Sequence, residues 1–593
     1  MKLGLSQLTR KVQSATKNKS AFTIVEILLA VAIFALLVTA FSGVYLYGQE
    51  ASAMAGGRTR ADLLAQEGLE AVQNMRDSAF ANLTDGTYGL AISGGKWILS
   101  GTQDVLDNFT RSVTISTVDA NRKNVVSTVN WQQNTQRAGS VSLVTRLTNW
   151  IATVASSVSG ALIIYGDGTN IPKYRTYDSA TNVFSAETSA LTNSVAPNFI
   201  IRTSPNKSEA IAGFYTAAGV LNVMCYNGST WSQEWTATVG GTGAGRRFDI
   251  AYETASGDVM VLYSTNTATT NELAYRTKLG GSGCGSANWA APANLDALRT
   301  SNIINYIRLA WDRRTGQNLI AATWVDINDD LSGAIWNGSA WTNEPSTVSD
   351  TNVEMVSISH DLEDMDIEYE SLSGDVMMIW GSTVGNNANG VRYRTCNGGI
   401  ASCTWSSVIT PPTFNDDATT LDISANPSTD EMVFASIGAN QSDLQLGYWS
   451  GSTWTNTANA DTSCNTPFAG SKLVSTGWLI SGATARSVIT YADQNSNNID
   501  WYVGNLGVFT KQADMVVSPL PNNPNGYYDI QMDALARDQL MFVLADASLD
   551  LFAKRLVMTA TPVFTWTNSD GAPLEVTLPQ NISSPFGFAF WRN

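Results

Sequence analysis

Two contrasting stretches open the chain. Residues 1–21 (MKLGLSQLTRKVQSATKNKSA) hold five basic residues, Lys2, Arg10, Lys11, Lys17 and Lys19, and no acid. Residues 22–47 (FTIVEILLAVAIFALLVTAFSGVYLY) are apolar except for one charge, Glu26. A helix of about 20 such residues crosses a bilayer, so 22–47 predicts a transmembrane helix. The basic flank predicts a cytoplasmic N-terminus. In a secretory signal peptide the small residue of the cleavage site follows the apolar run; here Ala21 precedes it, so the run is expected to stay in the mature chain. After Tyr47 the chain turns polar but keeps a helical period. Leu63, Leu64, Leu69, Val72 and Met75 fall on one stripe of 59–80, predicting the amphipathic half of one long helix packed on a sheet. Gly56-Gly57 is expected to loosen that helix. Strand patterns follow at 88–92, 96–99, 109–118, 124–131 and 139–148. The last three alternate: Val113, Ile115 and Val118; Val125, Val129 and Trp131; Val141, Leu143 and Leu147.

From residue 155 onward a different pattern repeats. Seven times a short apolar strand is followed by a polar turn, a second apolar strand and a third. RFDIAYETASGDVMVLYS (247–264) and MDIEYESLSGDVMMIWGS (365–382) match most closely. The centres of the first strands are Ile201, Ile250, Leu309, Ile367, Ile423, Trp478 and Ile530, 49 to 59 residues apart. Periods of that size suit the four-stranded blades of a propeller. Third strands end in Tyr-Arg-Thr (174–176, 275–277, 393–395) or run into the tight turns YNGSTW, WNGSAW and WSGSTW. Asn-Gly between strand formers is a strong hairpin signal, and the trailing Trp is expected to pack between blades. The first copy lacks a leading strand, and PFGFAFWRN (585–593) supplies one in register. That predicts a ring of eight blades, closed by the C-terminal strand, with seven as the second choice.

Composition narrows the class. The chain has 593 residues, and only 15% are charged against roughly a quarter in ordinary domains. Its 18 Trp, 19 Tyr and 19 Phe argue against disorder. A net charge of −16 repels phosphate and disfavours nucleic acid as a partner. His360 is the single histidine, which makes histidine-based zinc or triad chemistry improbable.

Glu26 is costly inside a membrane and is therefore a functional candidate. A cut between Ala21 and Phe22 would make it the fifth residue of the mature chain and leave a free amine on Phe22. The new N-terminus of a neighbouring subunit is the cation that such a carboxylate needs. Lys19-Ser20-Ala21 followed by Phe22-Thr23-Ile24-Val25-Glu26 resembles the class III leader of type IV prepilins and type II secretion pseudopilins. Most of that family has Gly before the cut, where this chain has Ala21. The resemblance implies cleavage by a prepilin peptidase, N-methylation of Phe22 and subunit alignment through Glu26. It also implies one long helix on a small antiparallel sheet, and LLAQEGLEAV (63–72) is similar to minor pilins and pseudopilins.

Other candidate chemistry is sparse. Asp326, Asn328 and Asp330, and likewise Asp493, Asn495 and Asn497, alternate oxygen ligands in a way that can wrap Ca²⁺. Neither run has the sixth-position Gly or the bidentate Glu of an EF-hand loop, and solvated hairpin turns use the same residues. Cys396 and Cys403 flank CNGGIASC and are candidates for a disulfide across a hairpin in an oxidising exterior. Cys225, Cys284 and Cys464 have no evident arrangement, and the absence of Cys-x-x-Cys leaves zinc unsupported. Arg175, Arg276 and Arg394 recur at one blade position, as in sialidase-like arginine sets. A repeat places any residue recurrently, so they read as blade arginines. No general base stands in a recognisable setting, and an enzyme is not expected.

The expected architecture is multidomain. A leader (1–21), a transmembrane and filament-core helix (22–47) and a pilin-like helix and antiparallel sheet (48–150) precede an all-β propeller (155–593). The expected function is a minor type IV pilin. It waits in the cytoplasmic membrane with its N-terminus inside, then joins other pilin subunits in an extracellular filament. The propeller is then displayed at the tip for a surface, glycan or protein ligand. Removing the leader takes the net charge from −16 to −21. The alternatives are a type II secretion pseudopilin and a pilin-anchored glycan hydrolase.

Overall fold

The computed structural model describes residues 23–591, apart from 79, 120–121, 135–136, 149–159, 170, 193–197, 241–244, 296–299, 301, 346, 354–361, 384–389, 398–402, 413, 415, 417, 439–441, 468–469, 495–498, 516–525, 534, 547, 569–572 and 579–583. The chain divides into two compact units, Met1–Ser156 and Ser157–Asn593.

In the first unit a single helix, α1, runs from Ile24 to Ser78. Its 55 residues span about 80 Å at a rise of 1.5 Å each. It passes unbroken through Gly56-Gly57, which corrects the expected loosening there. Gly57 has a packing reason: a Cβ on it would lie 3.1 Å from Trp131 Nε1. Gly68 has another, since its Cβ would lie 2.4 Å from Ser127 Oγ. The buried stripe of α1 is accordingly made of small side chains, Ala61, Ala65 and Ala71, with Val72 and Met75. Leu63, placed on that stripe by its spacing, is 61% exposed instead.

The stripe meets Phe109, Val113, Ile115, Val125, Val129 and Leu147 of a six-stranded antiparallel sheet. Its strands are Gly86–Ser93, Lys96–Ser100, Asp104–Leu106, Phe109–Asp119, Arg122–Asn134 and Arg137–Thr148. Asp104–Leu106 is an addition to the sequence expectation. It positions Asp104 2.9 Å from the buried guanidinium of Arg111, which also reaches Glu67 at 3.2 Å.

Eight antiparallel sheets are described in the second unit, in a propeller-like arrangement. Their lead strands are Phe586–Phe590, Ile200–Thr203, Phe248–Tyr252, Ile304–Trp311, Met365–Tyr369, Ala418–Ala425, Val474–Ser481 and Gly526–Met532, taken here as sheets one to eight. Seven sheets have four strands in chain order. In the first, the strand from the chain's end pairs with Gly160–Gly166, Phe588 opposite Ile163. Each lead strand lies beside the one before and after it, and the eighth lies beside the first.

Side chains stitch these neighbours together. Asp249 Oδ2 accepts the amide of Leu309 at 2.9 Å, Asp366 Oδ2 that of Ile423 at 3.4 Å, and Asp422 Oδ2 that of Thr476 at 2.7 Å. These are the Asp residues of repeated Asp-Ile pairs, so the pairs bind one sheet to the next. Buried backbone donors left open would each cost about 1–3 kcal/mol.

The aromatic residues follow a longer period, two sheets at a time. Tyr174 of the first sheet packs on Trp231 of the second (centroids 6.1 Å), Tyr275 of the third on Trp341 of the fourth (6.1 Å), and Tyr393 of the fifth on Trp454 of the sixth (5.8 Å). In the seventh and eighth sheets Trp501 packs on Trp566 at 5.4 Å.

Candidate functional site

Thr23 and Glu26 close a capping box at the start of α1. The backbone N–H of Thr23 donates to Glu26 Oε2 at 2.9 Å, and the N–H of Glu26 donates to Thr23 Oγ1 at 3.3 Å. A Thr followed three residues later by Glu is a helix-start pattern, so Thr23 was legible as a cap. Both side chains are exposed, as is the whole apolar stretch from Ile24 to Tyr47. The helix is long and apolar enough to cross a membrane. Ala21 and Phe22 lie outside the described residues.

In the second unit, the lead strands surround a cavity of about 460 Å³. The position before the central residue of a lead strand is charged in five sheets: Asp249, Arg308, Asp366, Asp422 and Asp529. In the seventh and first sheets it is Gly477 and Gly587, where a Cβ would crowd Ile530 (2.7 Å) and Ile201 (3.1 Å) of the neighbouring lead strands. The charges inside are matched closely. Arg246 meets Asp249 at 2.9 Å, Arg308 meets Asp366 at 2.9 Å and Lys472 meets Asp422 at 2.6 Å. Glu363 stands among all three cations, at 3.4, 3.5 and 3.9 Å, and accepts a hydrogen bond from Tyr527 Oη at 2.9 Å. Burial opposes its ionisation, yet Arg308, Lys472 and Arg246 hold its carboxyl down at about 2. Arg202 differs from the other cations. Burial, with Arg246 and Arg308 nearby, lowers its pKa. Arg202 and Arg313 both lie over the ring of Trp311, at 5.8 and 5.6 Å.

The residues singled out in the sequence are distributed elsewhere. Asp326 Oδ1 accepts the amides of Asn328 at 2.8 Å and Asp330 at 3.1 Å, so this carboxylate fastens its own hairpin. Burial raises the pKa of Asp330, and Asp326 and Asp329 add to the effect. Asn495 and Asn497 lie outside the described residues. Asp493 converges with Asp461 and Asp500, where Lys511 Nζ lies 2.8 Å from an oxygen of each of those two. Cys396 is disulfide-bonded to Cys403. Cys225 is bonded to Cys284, a pairing that sequence spacing did not suggest, and Cys464 is free and buried. Arg175 donates to Tyr165 Oη at 2.9 Å and to the Leu574 carbonyl at 2.7 Å. Arg276 lies over Trp235, and Arg394 reaches Thr347. Arg276 of the third sheet thus reaches the second and Arg175 of the first reaches a residue bonded to the eighth, so these arginines brace neighbouring sheets and do not converge on one site. His360 lies outside the described residues. The cavity set built on Arg202, Arg246, Arg308 and Lys472 was not foreseen from the sequence, although the Asp-Ile pairs that line it recur in plain view.

Residues 16–42 match the family described as the prokaryotic N-terminal methylation motif. The chain carries this methylation motif. The matched span includes Ala21, Phe22 and Glu26 and the first part of α1, the stretch whose side chains are all exposed. No curated protein sequence matches the chain. Among solved structures, a lectin from Burkholderia pseudomallei is similar at 12% identity and a TM-score of 0.42, over 62% of this chain and 98% of that one. A fucose-specific lectin from Aleuria aurantia is similar at 10% identity and 0.30, over 55% and 92%. A chain of the mitotic checkpoint complex is similar at 12% identity and 0.34, over 60% and 91%.

Proposed function

We propose that this protein is a minor type IV pilin that carries a binding propeller on the outside of the cell. The observation that carries the proposal is the methylation motif, placed at the head of a 55-residue helix with an exposed apolar half. Such a surface is unfavourable in water and suits first a membrane and then a bundle of identical helices. A prepilin peptidase cuts between Ala21 and Phe22 and methylates the new amine. Within the filament, Glu26 leaves its own cap and pairs with the Phe22 amine of a neighbour. The helix stays in the inner membrane before assembly, with the basic leader inside.

The eight sheets of the second unit are, in this proposal, eight blades of one propeller. At about 440 residues this unit is bulky for the repeating subunit of a slender filament, which favours a place at the tip. Its role there is to bind a surface, a glycan or a partner protein. The cavity's cations and carboxylates neutralise one another, and no nucleophile and base are paired in it among the described residues, which favours binding over catalysis.

Intact mass and N-terminal sequencing of protein sheared from the cell surface test the proposal. The expected result is a chain that begins at N-methylated Phe22. An uncut Met1 confined to the membrane would overturn it. Immunogold particles are expected at filament ends, and label along the whole shaft would remove the tip assignment.

A further inference from the structure

Arg246, Arg308 and Lys472 each have a carboxylate oxygen within 2.9 Å in the central cavity. Arg202 has none so near. Its Nη2 is 3.6 Å from Asp249 Oδ1, and Asp249 is already held by Arg246. Its Nη1 donates to the Ile201 carbonyl at 2.9 Å, and its buried Nε has no acceptor. A guanidinium offers five donors in a planar fork shaped for a carboxylate, so this one is under-used. Trp311 carries Arg202 and Arg313 over its ring, so that wall of the cavity is both aromatic and cationic. Asp529 also lines the cavity, with its oxygens 3.2 and 3.3 Å from Gln531 Nε2, which leaves lone pairs for further donors. The volume of about 460 Å³ is within the 300–1,000 Å³ usual for small-ligand sites.

The geometry points to a carboxylate-bearing saccharide, a sugar acid, as the occupant of this cavity. Its carboxylate meets the fork of Arg202, its ring packs against the wall that Trp311 forms beneath that arginine, and its hydroxyls donate to Asp529. The carboxylate accounts for Arg202 and the ring for Trp311. The hydroxyls account for an acidic acceptor in the same cavity as the open Nε of Arg202, which a simple anion would not need. The inference rests on the reading of the second unit as an outward-facing binding module.

Isothermal titration of the full chain in detergent, with digalacturonate and its neutral methyl ester, tests it. The acid is expected to bind about tenfold or more tighter than the ester, the effect of a hydrogen-bonded charge. Arg202→Gln is expected to abolish that preference, and Arg202→Lys to restore part of it. Trp311→Ala weakens acid and ester alike. An unchanged melting temperature shows that each variant is folded. Equal binding of acid and ester, binding unchanged in Arg202→Gln, or no binding of digalacturonate at millimolar concentration would overturn the inference. Binding of the dipeptide Ala-Ala in place of the sugar would also overturn it. Filaments that start at Phe22 but bind no uronate would sink this inference and leave the pilin proposal standing. Uronate binding by an uncut chain would do the reverse.

Discussion

Asp167, Asp326 and Asp546 occupy one position, the turn that leaves the second strand of a sheet. Each uses Oδ1 to accept the amides two and four residues further on. Asp546 is the strained member of the set. It is fully buried, its Oδ2 has no partner, and burial pushes its pKa up to about 6. The folded state therefore holds this proton more tightly than the unfolded chain, whose aspartates titrate near 3.8. Stability from this group is greatest below that lower value and is lost as the pH rises toward the upper one. At neutral pH the buried charge is a standing cost. Asp546→Asn keeps the Oδ1 acceptor and removes the charge. Calorimetry of the full chain is expected to show a higher melting temperature for the variant near neutral pH and no difference near pH 4. An equal gain at both pH values would show that charge is not the cause. These turns were legible in the sequence only as clusters of oxygen ligands, because a carboxylate that fastens a hairpin and one that wraps a cation use the same residues. Arg111 and Arg202 were not legible at all. In an alternating strand a charged residue reads as solvent-facing, and here the partners that allow its burial are 7 to 47 residues away in sequence.

At the scale of elements, α1 shows where periodicity succeeds and where it misleads. The helix, the turn to strands and five of the six strands of the first sheet were readable from spacing. The helix face was not fully readable, because its contact stripe depends on small residues while spacing rules weigh large ones. Gly57, Ala61, Ala65 and Gly68 let the helix approach the sheet, and Leu63 turns outward. The two kinds of glycine on this helix thus separate in a clear test. Nothing lies within 4 Å of a Cβ on Gly56, so Gly56→Ala is expected to stabilise the helix by up to about 1 kcal/mol. A Cβ on Gly68 would lie 2.4 Å from Ser127 Oγ and 3.2 Å from Arg111 Cδ. Gly68→Ala is therefore expected to destabilise the first unit despite its better helix propensity. Urea unfolding followed by helical circular dichroism, to which the 55 residues of α1 contribute most, reads both changes, and a gain in stability for Gly68→Ala would disprove the packing account.

Across the whole molecule, the sheets are alike singly but are built in pairs. A period of 49 to 59 residues located every lead strand, yet the closest repeats, 247–264 and 365–382, belong to the third and fifth sheets. The turns YNGSTW, WNGSAW and WSGSTW belong to the second, fourth and sixth. Single-sheet periodicity obscured this alternation because it treats the two kinds of third strand as variants of one. The structure explains it: the Tyr of one kind packs on the Trp of the other. Trp336 Nε1 donates to Glu253 at 2.7 Å and Trp449 Nε1 to Glu370 at 2.6 Å, so the same bond recurs two sheets apart.

Pairing of this sort leaves the ring dependent on its last junction, where the first described strand of the second unit meets Phe586–Phe590. Gly160–Gly166 is buried along its whole length, and among the described residues one of its edges is paired with Phe586–Phe590. Two further hydrogen bonds hold that strand. Thr203 Oγ1 donates to the Phe590 carbonyl at 2.6 Å, and the Trp591 amide donates to the Gly160 carbonyl at 2.8 Å. Without the strand, an apolar edge with open backbone groups is exposed, the feature that drives strand-to-strand association. Deleting residues 585–593 is therefore expected to convert a single species into larger assemblies on size exclusion and to lower the melting temperature. A synthetic peptide of residues 585–593 added during refolding is expected to restore both, since it replaces the missing lead strand without a covalent link. A truncated chain that stays monomeric and melts unchanged would mean that the other seven sheets hold the ring alone and that the C-terminal strand merely decorates it.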